Sequence, residues 1–167
     1  MEKNLIRAIL AHDSQWGVGK DGDLPWPKNS EDMKWFKQCT TGNTVIMGRK
    51  TWDSLPKKPL PNRLNAVVTS RDLESNECII ADMEGMLKLV PFMKNSETYF
   101  KDIWVIGGPQ LVKTMIPYID EMWLNNVGGD YECDTFLDQT VITELFAPFD
   151  VEEKTHSTIT KWRKNDV

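Results

Sequence analysis

Between Met47 and Arg71 the chain carries Arg49, Lys50, Lys57, Lys58, Arg63 and Arg71 against one acid, Asp53. Six cations and one anion give this stretch a charge of +5 in a protein whose total is −5. Two of the clusters, Gly48-Arg49-Lys50-Thr51 and Thr69-Ser70-Arg71, combine guanidinium and hydroxyl groups, the donor set that suits a phosphate; a solvated basic face is the alternative. Ile106-Gly107-Gly108 offers bare backbone, either for a tight turn or for the close approach of a diphosphate or flat ring. Asp32 and Phe36 stand four apart, so on a helix they share a face, with a carboxylate beside an aromatic wall. In a partly dry pocket such a carboxylate binds an amidine-like N–H pair on a flat heterocycle through two hydrogen bonds. The plainer alternative is that Asp32 complements a helix N-terminus, an effect of about 0.3–1 kcal/mol.

Gly17-Val18-Gly19-Lys20-Asp21-Gly22 fits the G-x-G-x-x-G pattern of dinucleotide sites but lacks its context. That motif opens a helix, whereas Asp23-Leu24-Pro25-Trp26-Pro27 follows here, and two prolines two residues apart impose an extended loop. A phosphate-binding Walker motif fails as well, since Asp23-Leu24 stands where Lys and Ser/Thr are needed. What remains is a glycine-rich loop with a structural or gating role.

These candidates need a scaffold, and the hydrophobic runs supply one. Leu5-Ile6-Arg7-Ala8-Ile9-Leu10-Ala11, Thr44-Val45-Ile46-Met47, Ala66-Val67-Val68-Thr69 and Ile103-Trp104-Val105-Ile106 are short and rich in β-branched residues, like strands buried on both faces of a mostly parallel sheet. The gaps between them are long enough for crossover helices, so the chain is expected to be α/β. One helix starts at Asn29 or Ser30 with acids in its first turn and is closed by Gly42. A second spans 82–94 and is expected to kink or end at Pro91, and a third follows Gly107-Gly108-Pro109. After Glu121 the pattern turns to strands and turns: Met122-Trp123-Leu124, a Gly128-Gly129-Asp130 turn, then 151–155 against 158–163 as an antiparallel edge whose last strand is short. On this frame both basic clusters and the Gly-Gly pair follow strands, at the carboxyl ends where ligands bind in open α/β sheets.

Composition narrows the classes. A length of 167 residues with 40% hydrophobic and 27% charged residues fits one domain, 1–167, with a buried core. The net charge of −5 argues against nucleic acid. No apolar run approaches the ~18 residues of a membrane span, and Met1-Glu2-Lys3-Asn4 precedes no signal-like segment, so a cytoplasmic location without membrane association is expected. Cys39, Cys78 and Cys133 are odd in number and widely spaced, which suggests reduced thiols; with His12 and His156 as the only histidines, no metal site is expected.

Taken together, the run from Trp16 to Pro27, then Val45-Ile46-Met47-Gly48-Arg49-Lys50-Thr51-Trp52, Val105-Ile106-Gly107-Gly108 and Asp134-Thr135-Phe136 resemble dihydrofolate reductase in order and spacing over almost the whole chain. The resemblance implies a three-layer α/β fold around a central eight-stranded, mostly parallel sheet with an antiparallel C-terminal edge. It implies a monomer that reduces dihydrofolate with NADPH and uses no metal. The catalytic residues it implies are Asp32, Trp26 and Asn125, with Asp32 holding the pterin's 2-amino group and ring N–H and favouring protonation of the neighbouring imine nitrogen. Substrate contacts fall on Ile9, Asp32, Met33, Phe36, Ser54, Leu55, Leu60, Arg63 and Ile106, with Arg63 taking the glutamate carboxylate. Cofactor contacts fall on Ala11, Val18, Gly19, Gly22, Asp23, Leu24, Gly48, Arg49, Lys50, Thr51, Thr69, Ser70, Arg71, Ile106, Gly107, Gly108, Gln110, Leu111, Val112 and Thr135. Of these, Arg49 and Arg71 are expected to favour NADPH through its 2′-phosphate, and the loop from Trp16 to Leu24 to close over the nicotinamide.

Two positions depart from the family pattern. Asn125 replaces a threonine that hydrogen-bonds the acid, and Val112 replaces a tyrosine after the Gly-Gly turn. Two rival readings follow: a same-fold reductase of a ribosylated pyrimidine, which needs no Arg63 paired with Asp32, and a drifted NADPH-binding structural protein.

Overall fold

In the computed structural model, which describes residues 4–20, 24–27, 30–75, 77–166, the apolar runs become strands of one sheet. The strands are β1 (Ile6–His12), β3 (Thr44–Gly48), β4 (Leu64–Val68), β5 (Ile79–Ala81), β6 (Ile103–Gly107), β7 (Glu121–Asn126), β9 (Phe146–Glu153) and β10 (Thr158–Lys164). Their order across the sheet is β5-β4-β3-β6-β1-β7-β10-β9. Pairing is parallel from β5 to β7, and β10 pairs antiparallel with both β7 and β9. A separate two-stranded ribbon joins β2 (Gly17–Gly19) to β8 (Thr135–Phe136).

The two-residue period of a strand sorts side chains into two cores. Ile6, Ala8, Ile46, Ala66, Ile103, Val105, Met122 and Leu124 pack on one face; Ile9, Val45, Met47, Val67 and Trp104 pack on the other. On the first face lie α3 (Met83–Asn95), α4 (Pro109–Met115) and α5 (Gln139–Leu145), through Met86, Val90, Met93, Leu111, Val112, Met115 and Ile142. On the second lie α1 (Ser30–Thr40) and α2 (Arg49–Ser54), through Trp35 and Trp52. The result is a sheet sandwiched between two helical layers, as the resemblance implied.

Several local expectations change. Helix α3 does not stop at Pro91 but runs to Asn95, because Val90 and Met93 bury on the sheet across the interruption. The side-chain amide of Asn95 caps the Pro91 carbonyl at 2.8 Å. Strand β9 begins at Phe146, earlier than the pattern suggested, and carries Pro148 at the sheet edge, where the missing N–H costs no ladder bond. Strand β10 is not short but seven residues long. Gly128 and Gly129 do adopt left-handed conformations, φ +76° and +73°, but they lead from β7 toward β8 rather than closing a hairpin. Asn29, one of the two cap candidates, lies outside the described residues.

Below the second core sits a charged knot remote from the strand carboxyl ends. Arg7 lies 5.3 Å from the Trp104 ring and 5.2 Å from the Trp123 ring, and pairs with Asp102 at 3.0 Å and Glu121 at 2.9 Å. Glu121 also accepts from Trp123 and Arg163, and these partners hold its carboxyl below the usual range although burial pushes the other way. This network fixes the amino ends of β1 and β7, so that their other ends are free to carry chemistry.

Candidate active site

The carboxyl end of β7 carries Asn125, whose neighbours in register are Ala11 on β1 and Ile159 on β10. Above it, the first turn of α1 brings Asp32 down, and Asn125 Nδ2 donates to Asp32 Oδ1 at 2.8 Å. Burial raises the affinity of this carboxyl for its proton, while the Asn125 bond acts in the opposite sense; burial is the larger effect. An ionised carboxylate only accepts, so the Asn125 amide must present its NH2, and its own Oδ1 is left buried without a partner. Thus the carboxylate is fixed in direction at the cost of one unpaired acceptor.

Along α1 from this acid come Phe36 and then Thr40. Arg63 Nη1 donates to Thr40 Oγ1 at 3.0 Å, its Nε donates to the Pro61 carbonyl at 2.9 Å, and its guanidinium lies 5.9 Å from the Phe36 ring centre. Burial lowers the Arg63 pKa, but guanidinium remains cationic at any physiological pH. Asp32 and Thr40 are eight positions apart, so the residue that carries the carboxylate and the one that meets the guanidinium are separated by roughly 12 Å along the α1 axis. Between them Ile9, Phe36, Leu55, Leu60 and Ile106 belong to one apolar cluster. Such a trough suits a ligand with a donor-rich ring at one end and a carboxylate at the other. Ser54 is exposed and turned back on the Thr51 carbonyl at 2.7 Å. Met33 is 50% exposed, so it does not join the apolar wall. Trp26 is buried edge-on against Tyr131, with ring centres 5.9 Å apart, and shares a cavity with Glu31 and His156.

The second group converges at the ends of β3, β4 and β6. Gly48 opens α2 and Gly108 opens α4, and neither helix start receives a side-chain cap. A Cβ on Gly48 would meet the Gly107 carbonyl and the Gly108 nitrogen at 3.8 Å, so two bare backbones face each other. Gly107 has φ +132°, a conformation that favours glycine, and the peptide that follows it is cis. Thr51 Oγ1 would lie 3.6 Å from a Cβ on Gly107. Arg49, exposed Lys50, Thr69, exposed Ser70 and exposed Arg71 complete the set, with Arg71 N donating to Thr69 Oγ1 at 3.1 Å. The uncapped N–H groups, hydroxyls and guanidiniums fit the phosphates of a dinucleotide. Leu111 and Val112, expected as cofactor contacts, have their side chains in the hydrophobic core, because that face of α4 seats on the sheet; only their backbone is left for a ligand. Gln110 is exposed beside them.

The glycine-rich stretch is partly strand. Val18 and Gly19 lie in β2, and the Gly19 carbonyl accepts from Asp134 N at 3.0 Å, next to Thr135 in β8. Leu24 is 61% exposed, and Gly22 and Asp23 lie outside the described residues. Asp13 belongs to none of the motifs above. Fully buried, it accepts from the backbone of Gln15, Gly17 and Tyr131 and from Cys133 Sγ, tying the base of this stretch to the segment before β8. Those bonds hold its carboxyl below the usual range against the opposing pull of burial. Asp13-Ser14 with Gly17 four residues on was the available signal, since Asp, Ser and Gly favour side-chain-to-backbone turns.

Residues 5–162 match the dihydrofolate reductase family. The chain belongs to that family. Dihydrofolate reductase of Bacillus subtilis is 37% identical over 131 residues, covering 78% of this chain and 73% of its own length. The Haemophilus influenzae enzyme is likewise 37% identical, over 82% of this chain and 81% of its own. The bifunctional dihydrofolate reductase-thymidylate synthase of Zea mays matches 88% of this chain, which spans only 32% of that longer protein. In three dimensions, dihydrofolate reductase from Enterococcus faecalis complexed with NADP(H) and RAB-propyl superposes with a TM-score of 0.80, covering 97% of each chain at 26% identity.

Proposed function

We propose that this protein catalyses the NADPH-dependent reduction of 7,8-dihydrofolate to 5,6,7,8-tetrahydrofolate, and so serves one-carbon metabolism and thymidylate synthesis. Family membership carries the reading, and the observation that gives it chemistry is the Asp32 carboxylate held by Asn125 at one end of the α1 trough with Arg63 at the other. Bound NADPH supplies the hydride; everything else falls to the chain. Asp32 anchors the 2-amino group and ring N–H of the pterin. Its negative charge in a dry site favours a proton on the neighbouring ring nitrogen as hydride reaches the adjacent carbon. Asn125 keeps that charge aimed, Trp26 walls the site beside it, and Arg63 takes the glutamate carboxylate with two parallel donors.

Gly48, Thr51, Gly107 and Gly108 receive the diphosphate, and Arg49 and Arg71, with Thr69 and Ser70, hold the 2′-phosphate. The loop from Trp16 to Leu24 has the role of closing over the nicotinamide and excluding water. The pairing of Arg63 with Asp32 favours this substrate over a ribosylated pyrimidine, which carries no glutamate tail. The whole chain acts as one domain, a cytoplasmic monomer; among the described residues no helix is long and apolar enough to cross a membrane. The test is isotopic: with NADPH deuterated at the transferring carbon, one deuterium should appear in the tetrahydrofolate product. Cofactor oxidation without deuterium in the folate would overturn the reading.

A further inference from the structure

Asp53, the one acid of the basic stretch, divides its two carboxylate oxygens between two arginines. Oδ1 accepts from Arg49 Nε at 3.0 Å, and Oδ2 lies 3.7 Å from Arg71 Nη2. The geometry follows from the fold. Strands β3 and β4 are parallel neighbours with Gly48 opposite Val68, so the residues just beyond their ends, Arg49 and the 69–71 turn, emerge side by side. Asp53 is one turn further along α2 and leans back between them. The Asp53 backbone carbonyl also accepts from Lys58 Nζ at 3.2 Å, and Arg49 Nη1 donates to the Asp72 carbonyl at 3.1 Å. The carboxylate therefore occupies the bridging position that an external phosphate monoester would take. It is 50% exposed, as are 22% of the Arg49 side chain and 66% of that of Arg71, so an incoming anion can reach all three.

We propose that Asp53 is a specificity-determining residue that acts as a built-in competitor of the cofactor's 2′-phosphate for the Arg49–Arg71 clamp. This rests on the assignment of the clamp to that phosphate. The carboxylate carries one charge and is tethered; the phosphate monoester carries nearly two near neutral pH and must displace it. Displaced from the clamp, the Asp53 carboxylate still opposes the phosphate by like-charge repulsion, at about 5–6 Å across a guanidinium. At the high dielectric of a surface site, removing that repulsion strengthens binding about three- to tenfold, and only for a ligand that carries the phosphate.

The experiment titrates NADPH and NADH by calorimetry into the wild type, Asp53→Asn and Asp53→Glu, at low and high salt. Asn should tighten NADPH about three- to tenfold, leave NADH unchanged, and lose most of its advantage in high salt; Glu, which keeps the charge, should stay near the wild type. Weaker NADPH binding in Asp53→Asn would overturn the proposal by showing that the carboxylate is needed to position the arginines. An equal change for both cofactors would overturn it too, as an effect on α2 rather than on the clamp. If the wild type itself binds NADPH no better than NADH while still reducing dihydrofolate, both the clamp assignment and the proposal fail, and the family reading stands.

Discussion

Replacing Asn125 by leucine separates the two things this residue does, because the structure gives opposite signs to its effects on stability and on the acid. The substitution removes one hydrogen bond to a charged acceptor, Asn125 Nδ2 to Asp32 Oδ1 at 2.8 Å, an interaction of about 1.5–3 kcal/mol. It also removes a buried carbonyl without a partner, whose desolvation costs about 1–3 kcal/mol. Leucine keeps the branched four-heavy-atom outline of asparagine, so the two terms offset, and the unfolding free energy at neutral pH should change by no more than about 1 kcal/mol. The acid responds differently. Burial already raises its pKa and the amide opposes that rise, so losing the amide moves the titration midpoint further up. Selective 13C labelling of aspartate carboxyl carbons, followed by NMR across pH, reads the midpoint directly, and urea denaturation reads the stability. A midpoint that stays put or falls would refute the argument that Asn125 holds the carboxylate in its charged form. A loss of several kcal/mol would refute the offset.

Two further outcomes follow from the same geometry. Arg63→Gln should raise KM for dihydrofolate at least tenfold with little change in kcat, and the effect should vanish for a pterin substrate without the glutamate; a fall in kcat alone would place Arg63 outside the substrate trough. His12 is buried, stacked on Trp16 with ring centres 4.8 Å apart, and burial lowers its pKa. The unfolded chain therefore takes the proton first, so the stability tied to neutral His12 is complete above about pH 6.5 and is lost as pH falls below it. Melting temperatures across pH 7.5 to 5 should decline less steeply in His12→Asn than in the wild type; equal slopes would mean that His12 titrates normally.

Much of this was legible because the chemistry lies where strong local signals end. Four apolar β-branched runs gave β1, β3, β4 and β6, and the three phosphate-compatible clusters followed β3, β4 and β6. The α1 face with Asp32 and Phe36 followed from four-residue spacing, whereas the place of Arg63 followed only from the family resemblance. What stayed hidden had weak or contrary local signals. Strand β5 is three residues long and partly exposed, so its apolar content does not stand out. Strands β2 and β8 are only three and two residues long, too short for a period to show, and the glycines of β2 disfavour a sheet; they are held by Asp13 and the Asp134 amide from outside. Helix α2 spans six residues, too short for periodicity, and it is its turn that brings Asp53 back between the arginines. Pro91 signals a break, but the tertiary burial of Val90 and Met93 outweighs a local cost of about 3 kcal/mol.

The most direct test of the central claim is the loss of NADPH near-ultraviolet absorbance on adding dihydrofolate, with the wild type and Asp32→Asn side by side. The account predicts rapid loss with the wild type and a rate at least about a hundredfold lower with Asp32→Asn, since a positioned acid–base group contributes on that order. Full turnover by Asp32→Asn would contradict the role given to Asp32, and no turnover by a wild type that still binds NADPH would contradict the reductase itself.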